Sequence, residues 1–113
     1  MSIPVQLTDL ASAMSRYHIG YLLTASDSGP PRAVQIRAVV QDGDLVLDSV
    51  GRRTRENVVA RSAVSLLWPP STATGYSLIV DGQAVMEGET LRITPDSAVL
   101  HRSSPAALSG GKS

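Results

Sequence analysis

Apolar and polar residues alternate with a period of two along most of this chain, which is the pattern of half-buried strands. The clearest case is RAVQIRAVV at residues 32–40. Val34, Ile36, Ala38 and Val40 fall on one face, and Ala33, Gln35, Arg37 and Val39 on the other. A first strand precedes it in HIGYLLTAS, across a Gly-Pro turn. QDGD then marks a tight hairpin into a third strand, LVLDSV. AVSLLWPP reads as a buried strand stopped by Pro69 and Pro70, which cannot donate to a ladder. YSLIVDGQAVMEGE and TLRIT follow as two more strands, with a bend or bulge expected near Gly82 and a turn at EGE. Helical spacing occurs in three places. TDLASAMSRY aligns Leu10, Ala13 and Met14 behind a Thr8 or Asp9 cap, and RTRENVVARS has a narrow apolar edge at Val58 and Val59. TPDSAVLHR opens with the Thr/Pro/Asp signal of a short helix. The elements therefore run helix, three strands, helix, two or three strands, short helix. Antiparallel hairpins dominate, and closing them into a small barrel removes exposed edges.

Composition supports a mostly β domain. The chain has 113 residues, with twelve Val, twelve Leu and five Ile but no Phe and one Trp. Val and Ile suit pleated, half-buried surfaces. A length of this order predicts one domain, here residues 1–102, with 103–113 as a disordered Gly/Ser-rich tail. Ten basic side chains balance ten acidic ones, so bulk charge predicts neither a nucleic-acid nor a membrane partner. The absence of cysteine excludes thiolate catalysis and Cys-ligated metals. The sole lysine, Lys112, lies in the tail, which excludes an internal Schiff-base lysine. The N-terminus lacks a signal-peptide pattern and no apolar run has membrane-spanning length, so a cytoplasmic protein is expected.

The charge is nevertheless clustered. VGRRTRENV packs Arg52, Arg53 and Arg55 into four positions at the predicted start of a helix. The first N–H groups of a helix lack internal partners and its dipole is positive there, while guanidinium groups fit phosphate oxygens bidentately. Thr54 would cap that end or donate its hydroxyl to a ligand oxygen. The plain alternative is a solvated helix start with Arg55 and Arg61 pointing outward. His18 and His101 sit in no nucleophile motif and read as structural or exposed residues. Asp42 and Asp44 belong to the hairpin rather than to an acid–base pair, and Trp68 is expected as a core or interface anchor.

Five features in order extend the picture: DSGPP, QDG, the basic turn before ENVV, VSLL, and a strand ending VDGQA. Over about residues 17–101 the chain resembles the pyridoxamine 5′-phosphate oxidase-like family of flavin-binding split barrels. It is most similar to small actinobacterial-type members, some of which use a deazaflavin coenzyme. The resemblance implies a six-stranded antiparallel split β-barrel of the FMN-binding type and a homodimer with cofactor at the subunit interface. It implies that Arg32, Val34, Gln35, Ile36 and Arg37 flank the isoalloxazine ring. Asp48 and Ser49 would lie beside the phosphate, Arg52, Arg53 and Thr54 would grip it, and Ser77 would approach from the partner subunit. Thr54 stands where many relatives have lysine, and Arg37 where many deazaflavin-type relatives have an aromatic residue. The arginine-containing C-terminal segment that holds substrate in true pyridoxamine phosphate oxidases has no counterpart here, so vitamin B6 oxidation is not expected. The resemblance implies an FMN-dependent oxidoreductase acting on a small molecule. A deazaflavin-dependent reductase, a non-catalytic flavin carrier and a structural dimer with an empty groove are the alternatives.

Overall fold

A computed structural model describes residues 1–103. All strand pairings are antiparallel, and the strands form one curled sheet in which the buried leucines meet. The strands are β1 (Ser2–Val5), β2 (Gly20–Thr24), β3 (Arg32–Ile36), β4 (Val39–Gln41), β5 (Asp44–Leu47), β6 (Ala63–Trp68), β7 (Ser77–Glu87) and β8 (Thr90–His101). A 3-10 turn (Leu7–Asp9) leads into the short helix α1 (Leu10–Met14), and α2 (Arg52–Ala60) follows β5. The pairing order is β3-β2-β6-β7-β8-β5-β4. The far edge of β8 is shared, by β5 at Leu91–Ile93 and by β1 at Ala98–His101.

This order explains the barrel shape. β3 and β4 are the two ends of the paired path, yet only Arg37 and Ala38 separate them in the chain. A sheet whose ends are tethered by two residues has to curl, which brings them side by side without pairing them. Leu22, Leu45, Leu66, Leu78, Val80 and Ile93 are completely buried inside the curl. Each such side chain contributes about 1.5–3 kcal/mol of burial free energy. The result is a split barrel, as the sequence predicts, with eight strands among the described residues rather than six.

The two additional strands have separate causes. RAVQIRAVV divides at Arg37–Ala38 because β3 pairs with β2 whereas β4 pairs with β5. The predicted alternation persists across the break, and Val34, Ile36, Ala38 and Val40 all pack on the core. The other addition is β1, whose residues Ile3 and Val5 lie against β8.

The short helix expected over TPDSAVLHR does not form. Those residues continue β8, which pairs with β7 from Glu87 back to Ser77. A helix there would leave the first half of β7 without that partner, a loss exceeding any local capping preference. Pro95 is tolerated because it sits at the bulge, where the register shifts between Asp81 and Gly82. That bulge and both glycine turns agree with the sequence. Asp42 and Gly43 have φ of 54° and 83°, the two positive values a tight hairpin needs, and Gly88 has φ 65°. Arg92 bonds Glu87, Asp44 and Gln41 and so ties β8 to the β4–β5 hairpin. The Glu87 and Asp44 carboxylates hold its pKa above the ordinary arginine value.

No helix among the described residues is long and apolar enough to cross a membrane. The tail expected over 103–113 lies, from 104 onward, outside the described residues.

Candidate functional site

The open seam between the two ends of the sheet forms a groove. One wall is β3 with Arg37; the other is β4, β5, the loop after it, and the start of α2. Two adjoining cavities occupy the groove, of about 340 and 380 Å³, and they share Gln35, Ile36 and Ser49. Arg32, Val34, Arg52, Arg53 and Thr54 line the first. Arg37 and Asp48 line the second. Ten of the eleven sequence-derived site residues thus meet in one groove. Ser77 does not join them. It begins β7 and pairs with His101, away from both cavities.

Helical geometry sorts the arginine cluster. Arg52 and Arg53 are the first two residues of α2 and face the groove with exposed side chains. Arg55, one residue beyond Thr54, turns to the opposite side. It donates to the Gly88 carbonyl at 3.2 Å and to Glu89 at 3.5 Å. Arg61 pairs with Asp27 at 2.8 Å. The outward reading is therefore right for Arg55 and Arg61. Among the described residues Arg32, Arg37, Arg52 and Arg53 form no ion pair, and all four line the groove. Among the described residues, Asp48 is the one acidic side chain lining either cavity.

The capping role expected of Thr54 is not observed. Gly51 is the N-cap, so no side chain bonds the first N–H groups of α2, and no acidic residue lies in the first turn. Thr54 is the third helical residue and only 4% exposed. Two arginines consequently stand at the positive end of a helix dipole, where cations are unfavourable. A bound anion would reverse that balance, because it offsets both guanidinium groups and takes hydrogen bonds from the free N–H groups.

Sequence reasoning missed what holds this turn in place. Asn57 is 5% exposed and donates from Nδ2 to Oγ1 of the buried Thr24 at 3.0 Å. That bond joins the middle of α2 to the end of β2, which pairs with β3, the opposite wall of the groove. The signal was an asparagine inside a nine-residue helix, a position where its side chain disfavours the helix unless it bonds elsewhere. Val58 packs into the core as expected, but Val59 is 76% exposed. Val50 and Gly51 also line the groove and were not singled out.

No protein-family model matches the chain. Two uncharacterised proteins, Mb0449c of Mycobacterium bovis and MT0457 of Mycobacterium tuberculosis, are each 39% identical to it over 126 aligned positions. The alignments cover 94% of this chain and 89% of each relative. Solved structures share the fold at low identity. A Listeria innocua protein assigned as a pyridoxamine 5′-phosphate oxidase superposes with a TM-score of 0.70 at 13% identity, over 86% of this chain and 98% of its own. An FAD-binding protein from Mesorhizobium loti gives 0.68 at 16% identity, over 91% and 98%. An F420 reductase gives 0.56 at 16% identity, over 82% and 92%.

Proposed function

The chain belongs to one family with the two mycobacterial proteins and has the fold of the pyridoxamine 5′-phosphate oxidase-like split barrels, and from that premise we propose that its groove binds a flavin-type cofactor, FMN, for redox chemistry on a small molecule. One observation carries the reading: the uncapped N-terminus of α2 bears Arg52 and Arg53, both without an ion pair among the described residues and both facing the groove. Those groups fit a phosphate by charge, by geometry and by number of donors. Arg32, Val34, Gln35 and Ile36 would flank the rest of the cofactor along β3, and Asp48 and Ser49 the loop side. A flavin bound there supplies the electron-accepting and electron-donating chemistry. The protein's own part is to hold the phosphate at Arg52, Arg53 and Thr54 and to present Arg37, whose charge favours a reduced, anionic ring.

The groove is open along the free edge of β3, and Val39 beside it is 60% exposed. A second copy of the chain covering that side would complete the site, with Ser77 of the second copy at the interface. The likeness to the F420 reductase supports a second reading, a deazaflavin coenzyme in the same groove. Titration of purified protein with FMN, riboflavin and a deazaflavin, followed by absorption and fluorescence, tests these readings. FMN should bind much more tightly than riboflavin, and Arg52→Ala/Arg53→Ala should remove the difference. A protein that binds neither FMN nor a deazaflavin would sink both readings.

A further inference from the structure

A third cavity, of about 390 Å³, lies beyond the Arg37 end of the groove, beneath α1. Its volume falls within the range of small-molecule sites, roughly 300–1,000 Å³. It adjoins the groove because Ile36, Arg37 and Val39 line both. Most of its lining is apolar, with Met14, Ile36, Val40 and Trp68 among the walls. Trp68 is held by a close backbone approach. A Cβ on Gly20 would come within 2.5 Å of its Nε1, so only glycine leaves room for the indole there.

The polar groups of this cavity are few and unequal. The Tyr17 hydroxyl is already committed to the Tyr76 carbonyl at 2.8 Å, and the Ser15 hydroxyl to the Ser12 carbonyl at 2.6 Å. Arg37 and His18 have no hydrogen-bond partner among the described residues, and no acidic side chain lines the space. Apolar walls that include the Trp68 indole, with Arg37 and His18 as the cationic or titratable nitrogen donors of the lining, are complementary to a flat apolar molecule that carries one anionic group.

We propose that this cavity is a binding site for planar, aromatic or conjugated carboxylic acids, with Arg37 and His18 holding the carboxylate against an apolar pocket that includes Trp68. Its meaning as the substrate site rests on the cofactor reading above, since Arg37 would then stand between the two ligands. Binding itself does not depend on that reading.

The test is calorimetric titration of the full chain with trans-cinnamate and with cinnamyl alcohol, its neutral counterpart, without cofactor and with saturating FMN. Cinnamate should bind saturably and at least about tenfold more tightly than the alcohol. Arg37→Gln should bring that ratio close to one. Ala11→Trp fills the cavity from the exposed face of α1. It should abolish cinnamate binding while FMN, read by quenching of its fluorescence, binds as before. Equal affinity for acid and alcohol, a preference that survives Arg37→Gln, or cinnamate binding that survives Ala11→Trp would each overturn the assignment. FMN binding without cinnamate binding at millimolar concentration would overturn it alone. Cinnamate binding as described, in a protein that takes neither FMN nor a deazaflavin, would leave this site standing and remove the cofactor reading.

Discussion

Reversing one charge at the start of α2 should separate what stabilises this protein from the phosphate binding proposed for that turn. Arg53 is the second residue of an uncapped helix with no acidic side chain in its first turn. A charge in that position interacts with the helix dipole by about 0.3–1 kcal/mol at low ionic strength. Arg53→Glu removes an unfavourable interaction of that size and adds a favourable one, a gain of about 0.6–2 kcal/mol. With about 4 °C per kcal/mol for a domain of this size, the ligand-free protein should melt about 2–8 °C higher. The same change should weaken FMN binding. One charge-assisted hydrogen-bonded contact contributes about 1.5–3 kcal/mol, so its loss alone lowers affinity by about ten- to 150-fold. Riboflavin, which has no phosphate, should bind as it does to the parent protein. Thermal melts and fluorescence titrations at low ionic strength read the two effects separately. Added salt should shrink the gain in Tm, because the Debye length falls from about 30 Å at 0.01 M to about 8 Å at 0.15 M. A ligand-free variant that melts lower would refute the dipole argument. Equal losses for FMN and riboflavin would refute the assignment of phosphate to this turn.

Four further substitutions probe the barrel that holds the groove. Asn57→Leu leaves the buried Thr24 hydroxyl without its donor, and should cost about 1–3 kcal/mol in chemical denaturation. Adding Thr24→Val should recover much of that loss, because both polar partners are then gone; a double variant as unstable as the sum of the singles would count against the bond. Gly20→Ala places a methyl group 2.5 Å from Nε1 of Trp68. Overpacking of this kind costs about 1–3 kcal/mol and should shift tryptophan emission to the red as the indole leaves the core; an unchanged spectrum and Tm would contradict the close packing. Gly82→Ala meets the Thr94 carbonyl oxygen at 2.5 Å, an obstacle of backbone rather than side chain, and should lower Tm further than Gly20→Ala does.

Most of the barrel was legible because strand alternation is a local property and survives changes of partner. Residues 32–40 show this. From Ala33 to Val40 burial alternates without interruption, although the ladder partner changes from β2 to β5 at Arg37–Ala38. The turns were equally legible, since Asp42-Gly43 and Gly88 adopt backbone conformations that few other residues tolerate. What local reading could not supply was partner length. The Thr-Pro-Asp signal favours a helix at residue 94, and nothing within nine residues contradicts it. The contradiction comes from Ser77–Asp81, about twenty residues earlier, which pair with that segment. A four-residue strand such as β1 carries too little pattern to stand out, and Ile3 remains 45% exposed even when paired.

The groove was legible for a different reason, one that net charge conceals. Ten basic and ten acidic residues sum to zero, which argues against avid electrostatic binding only if the charges are mixed. They are sorted instead. Asp27, Asp44, Glu87 and Glu89 are engaged by Arg61, Arg92 and Arg55 on other parts of the surface. Arg32, Arg37, Arg52 and Arg53 are left along one seam with Asp48 alone for company. The sorting follows from two geometries that the sequence encodes separately. Strand β3 carries Arg32 at its first position, and Arg37 follows directly after its last. The first turn of α2 sends Arg52 and Arg53 to the groove and Arg55 to the β7–β8 turn. Tethering the sheet ends through Arg37 and Ala38 brings the two sets together. Neither set alone distinguishes a ligand site from a solvated surface. Together they concentrate positive charge along one groove, with no ion pair among the described residues, which is the electrostatic basis of the phosphate site proposed above.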